Sequence, residues 1–198
     1  MTGAQPARPV VLTPGYEDDA RKVRRLVARL HHAGRAVLAL SPQPSDGTVA
    51  IEVLAQGLAA QIDDALGATT PFDFFGFSMG GLIGRVYLQQ LGGSARVRRF
   101  VTLATPHRGT WSAHFVRGKP AVAQMRTGSS FLAALNADPA HLDTVRFTAL
   151  WTPFDLSITP AHHAFLPGRP HRIVYSPFHG TLLMDPFVLD AVVRALGD

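Results

Sequence analysis

No cysteine occurs among the 198 residues, which excludes disulfides, thiolate nucleophiles and thiolate metal sites. No apolar run approaches the roughly 18 residues that a membrane-spanning helix needs. The stretch from Met1 to Pro9 lacks the apolar core of a secretory signal, so the chain reads as cytoplasmic. Glutamate is absent after Glu52, so any carboxylate in the C-terminal half is an aspartate. Charged residues are also sparse, at 17%, against 46% hydrophobic, a balance that reads as globular rather than disordered.

The formal net charge is +5, carried mostly by arginine. A basic face attracts phosphate, but the basic residues are spread along the chain and no nucleic-acid recognition motif accompanies them. Nucleic acid is therefore not an expected partner. An anionic lipid surface is the partner class that the charge leaves open. Nothing in the pattern specifies an oligomeric state.

Neither an internal repeat nor a linker is visible, so residues 1–198 read as a single domain. Strand and helix signals alternate, which predicts an α/β fold with a parallel sheet covered on both faces. The spacing predicts strands at 10–13, 36–40, 72–75, 97–103, 146–151 and 172–175. It predicts helices at 19–33, 48–66, 79–91 and 186–196. The alternation breaks between His107 and Thr144, where only a short helix at 129–136 is expected. Such an excursion inside a compact domain is usually functional, here as an active-site-side insertion.

In sheets of this kind the site lies beyond the carboxyl ends of the strands. The third strand runs into Gly76-Phe77-Ser78-Met79-Gly80, and a helix follows at once. This is the G-x-S-x-G pattern in its strand–turn–helix setting. Gly76 and Gly80 leave room for the sharp turn, and Ser78 stands exposed as a nucleophile. The rival reading makes Ser78 a plain helix cap, and the strand before it and the helix after it tell against that.

The chain resembles small bacterial lipases and esterases of the α/β-hydrolase superfamily, in the manner of triacylglycerol lipases. The resemblance rests on Val10 to Tyr16, Gly76 to Gly81, Leu103 to Thr110, Trp151 to Asp155 and Pro177 to Gly180. It implies a minimal α/β-hydrolase fold with a six-stranded, mainly parallel sheet in the order 2-1-3-4-5-6. It also implies hydrolysis of carboxylic esters through an acyl-enzyme on a Ser-His-Asp triad, with no cofactor. Acyl transfer or thioester hydrolysis by the same triad is the alternative.

The triad of that fold follows the order Ser, acid, His. Between Ser78 and the last histidine, His179, stand Asp138, Asp143 and Asp155, of which only Asp155 lies just past a strand end. Of the histidines beyond it, His162 and His163 lie in a connection and His171 enters the sixth strand at the far end. His179 follows that strand on the site's side. Asp155 and His179 are the expected acid and base. The oxyanion donors expected are the backbone N–H groups of Met79 and Tyr16, since Pro14 has none to offer. His107, together with Gly76 and Gly80, is expected to support the site from behind. Phe77, Trp111, Phe115, Phe131, Phe154 and Phe178 are candidates for an apolar acyl pocket. The His31-His32 and His162-His163 pairs do not make a metal site, because neighbouring positions rarely converge on one ion. The expected partner is a small-molecule or lipid ester.

Overall fold

The computed structural model describes residues 8–197. Six strands form one sheet: β1 Val10–Thr13, β2 Val37–Ala39, β3 Phe72–Phe77, β4 Val97–Leu103, β5 Arg146–Trp151 and β6 His171–Ile173. Their order is β2-β1-β3-β4-β5-β6, and every pairing is parallel. This is the order that the resemblance implied. The chain has an α/β-hydrolase fold.

Alternation along β3 explains how one sheet serves two cores. Phe72 and Phe74 join one apolar cluster, while Phe75 and Phe77 join the other, as the two-residue period of a strand requires. On the first face lie α2 (Ile51–Leu66) and α3 (Met79–Gln90), with Leu54, Leu58, Ile62, Leu82 and Val86 inward. On the second lie α1 (Arg24–His32) and α6 (Pro186–Gly197), through Leu26, Leu30, Val188, Leu189, Val192 and Leu196. Burying one such aliphatic side chain contributes about 1.5–3 kcal/mol.

Several boundaries differ from the sequence reading. The expected helix at 19–33 splits into a 3₁₀ turn, Ala20–Val23, and α1. Asp19 caps that turn by accepting from the Arg21 N–H at 2.8 Å. The second strand shortens to 37–39 and is half-buried, because β2 is a sheet edge. The helix expected from Thr48 starts at Ile51, since Asp46 holds both the N–H and hydroxyl of Thr48 in a turn. β3 continues to Phe77, and β6 is a short, exposed edge at 171–173.

The excursion is better ordered than periodicity suggested. It holds α4 (Pro120–Gln124), which the sequence reading missed, and α5 (Ser130–Ala137), close to the expected helix. Ser129 caps α5 by accepting from the Leu132 N–H. A buried polar network fastens this segment to α3. The wholly buried Arg85 donates to Asn136 Oδ1 and the Leu135 carbonyl, both at 2.7 Å. Asn136 donates in turn to the His107 carbonyl at 3.1 Å. Burial pushes the Arg85 guanidinium down to about 9, so it keeps its charge at neutral pH. The excursion is thus packed against the first core rather than hung over it.

Candidate active site

The turn after β3 is built by close approach. Ser78 adopts φ 54, ψ −124, a strained backbone for a residue with a side chain. Its N–H donates to the Leu103 carbonyl at 2.9 Å, which ties the turn to the end of β4. A Cβ at position 76 would sit 2.5 Å from the Gly81 Cα. One at position 80 would sit 2.3 Å from the carbonyl oxygens of both Thr13 and Pro14. Both glycines are therefore demanded by space. Gly81 extends the same logic, because a Cβ there would meet the Thr105 hydroxyl oxygen at 2.0 Å. Thr105 thus packs against the start of α3. Phe77 and Met79 are buried on either side of Ser78, which itself remains half-buried.

Asp155 and His179 reach this serine from two other strand ends. The Thr152 hydroxyl donates to the Ser176 carbonyl at 2.8 Å, joining the segments that follow β5 and β6. Asp155 is nearly buried, and its Oδ1 accepts from the N–H groups of Ser157 (2.8 Å) and Ile158 (3.0 Å). Its Oδ2 lies 2.8 Å from His179 Nδ1, and His179 Nε2 lies 3.0 Å from Ser78 Oγ. The imidazole packs against Phe77 in a tilted arrangement, 5.0 Å between ring centroids. Hydroxyl, imidazole and carboxylate therefore form one hydrogen-bonded line, able to move a proton off the serine and leave the imidazole's orientation fixed.

Met79 opens α3, so its N–H has no intrahelical acceptor. Tyr16 stands on the loop after β1 that Gly15 brings up to Ser78; a Cβ on Gly15 would lie 2.8 Å from the Ser78 Cβ. Both residues expected as donors thus border the serine.

A cavity of about 410 Å³ opens beside Ser78 and His179. Phe77, Ala113, Val116, Val122, Met125 and Ile158 make its apolar wall, and Asp18, Lys22 and Tyr16 add polar groups. Of the six aromatics expected in the acyl pocket, only Phe77 lines this cavity. Phe131 is a core residue on the buried side of α5. Trp111, Phe115, Phe154 and Phe178 point outward, 60%, 87%, 53% and 60% exposed. The lining aliphatics of the excursion were missed because α4 and the short turn before it carry too few residues to show a period.

His107 is wholly buried, with Nε2 at 3.0 Å from the Thr102 hydroxyl and the ring edge-on to Phe147. Burial, with the Arg85 charge adding to it, holds its pKa well below the usual 6.5. It sits behind the site and does not touch Ser78. His163 is likewise buried, against the Gly109 carbonyl, while His31 and His32 are exposed at the end of α1. Among the described residues no three histidine, aspartate or glutamate side chains gather as metal ligands.

Residues 9–154 match the family described as palmitoyl protein thioesterase. No curated protein matches the sequence. Among solved structures, a Bacillus licheniformis lipase in its mature form is similar at TM-score 0.78 and 17% identity, covering 98% of this chain and 94% of its own. Aspergillus fumigatus lipase B is similar at TM-score 0.75 and 16% identity, over all of this chain and 55% of its own. A phospholipase from Legionella pneumophila follows at TM-score 0.61 and 15% identity, over 75% of this chain and 39% of its own.

Proposed function

The chain belongs to the palmitoyl protein thioesterase family, and from that premise we propose that it is a serine hydrolase cleaving carboxylic esters through an acyl-enzyme. One observation carries the proposal: the line from Asp155 through His179 to Ser78, with spacings of 2.8 and 3.0 Å, opens on an apolar cavity. The family match ends at residue 154, so the acid and base rest on this geometry and on their order along the chain.

In this reading Ser78 Oγ attacks the ester carbonyl while His179 Nε2 takes its proton. Asp155 accepts the Nδ1–H, which fixes the tautomer and stabilises the imidazolium. The carbonyl oxygen becomes an oxyanion, held by the N–H groups of Met79 and Tyr16. Each such donor is worth about 10²–10³ in rate. His179 then protonates the leaving group, and a water activated by the same histidine releases the acid.

A thioester as substrate is the second reading, favoured by the family to which the chain belongs. Paired oxoester and thioester substrates of equal acyl length separate the two. The ester reading expects hydrolysis of the oxoester that is lost in Ser78→Ala. Thioester cleavage without oxoester cleavage would shift the assignment to the second reading.

Exposed apolar residues near the cavity bear on how the substrate is presented. Trp111, Phe115, Leu156 and Phe178 are exposed, and each adjoins in sequence a residue that lines the cavity. Apolar groups so placed favour an ester presented at a lipid surface, and the net charge of +5 favours an anionic one.

A further inference from the structure

The excursion does more than wall the cavity, because it also grips the loop that carries Tyr16. Lys119, at the start of α4, places its Nζ 2.7 Å from the Tyr16 hydroxyl and 3.3 Å from Glu17 Oε1. The same ammonium lies 5.1 Å from the centroid of the Tyr16 ring. From the other side comes Gly47: a Cβ there would lie 2.9 Å from Tyr16 Cε2 and 3.0 Å from the Val122 side chain. The Ala121 N–H donates to the Gly47 carbonyl, closing the clasp around the ring. The loop so held is tense. Glu17 has φ 56, its N–H donates to the Ser45 carbonyl, and the Asp18 N–H turns back to the Gly15 carbonyl.

Tyr16 is therefore fixed at its ring, its hydroxyl and its neighbour, while the preceding Gly15 abuts Ser78 and Tyr16 lines the same cavity as that serine. Lys119 does not line the cavity, so it is not placed to touch substrate. We propose that Lys119 is a positioning residue, which holds the Tyr16 N–H on the developing oxyanion through the Tyr16 side chain. A donor misplaced by about 1 Å forfeits much of its value, because this stabilisation depends on preorganised geometry. The hydrogen bond to Tyr16, helped by Glu17, raises the Lys119 pKa above its usual 10.5, so the clasp stays charged through the neutral range.

The inference rests on the ester reading, and its test keeps the two apart. Lys119→Met, Lys119→Arg and Tyr16→Phe are compared with the unaltered chain on a p-nitrophenyl ester. In parallel, hydrogen–deuterium exchange is followed on the peptide holding residues 15–18. Lys119→Met should lower kcat about 10–30-fold with KM within about twofold, since the lost interaction matters only in the transition state. Exchange at residues 15–18 should quicken while the melting temperature stays within about 2 °C. Tyr16→Phe should reproduce both effects, and Lys119→Arg should restore most of the rate. Unchanged kcat in Lys119→Met, or a loss of kcat without quicker exchange in that segment, would overturn the proposal. A rise in KM alone would also overturn it, by making Lys119 a substrate contact. If the unaltered chain shows no Ser78-dependent hydrolysis, the ester reading falls, and unaltered exchange in Lys119→Met would still refute the clasp by itself.

Discussion

Ser78→Ala should abolish hydrolysis with the fold intact, by about 10⁴-fold or more. Asp155→Asn should cost about as much, because the amide would favour the wrong imidazole tautomer. Asp143→Asn is the matched control: that carboxylate pairs with Arg169 at the surface, 68% exposed. A damaging Asp143→Asn with a tolerated Asp155→Asn, read by ester kinetics, would refute the choice of acid. His107 sets a second residue-level expectation. Its pKa is held well below 6.5 by burial and by Arg85, and that of the buried His163 is also lowered, again chiefly by burial. Below about 6.5 the unfolded chain therefore takes up protons that the folded chain refuses. Their contribution to stability is complete above that pH and is lost as pH falls toward the folded values. Denaturant midpoints should drop between pH 7 and 5.5, and His107→Asn should flatten the slope. A midpoint that rises on acidification over that range would contradict the account.

Among the elements, the turn into α3 is where sequence and space agree most closely. The serine pattern predicted glycines at 76 and 80 for lack of room, and the close approaches to Gly81, Thr13 and Pro14 are that lack of room. Gly80→Ala should therefore push the Tyr16 loop away, cost about 1–3 kcal/mol of stability and reduce activity sharply. Gly57→Ala is the contrast. A Cβ there meets only the Pro42 Cβ, at 3.9 Å, and alanine suits the middle of α2, so stability should hold or rise by up to about 1 kcal/mol. Equal effects in thermal melts would show that spatial crowding at the turn is not what matters. What the sequence could not disclose lay in the excursion. Its helices are short, and the long-range bonds from Arg85 and Lys119 that seat them have no local signal. Phe131 illustrates the cost of that: an aromatic in a functional segment looked like pocket, yet it fills core. Phe131→Ala should lower stability by about 3–5 kcal/mol and leave acyl-length preference unchanged, whereas Val122→Phe should shift preference to shorter acyl chains. The reverse pattern in an ester chain-length series would exchange their roles.

Taken whole, the molecule divides its labour between the ends of the sheet. At the amino end the buried Asp73 gathers Arg8 and Arg35 at 3.3 and 2.6 Å, which serves packing. At the carboxyl end the loops after β1, β3, β4, β5 and β6 converge on one cavity. The strand–helix alternation was legible as periodicity, and the resemblance to small bacterial lipases implied the strand order that the sheet adopts. The cavity wall was not legible, because it is assembled from residues far apart in the chain. The central claim is that Ser78, activated by His179 and Asp155, forms a covalent intermediate. Labelling with a fluorophosphonate, followed by peptide mass analysis, tests it most directly. The account predicts one adduct per chain, on the peptide bearing Ser78, that fails to form at a comparable rate in His179→Ala. A chain that takes no label, or takes it on another residue, would contradict it.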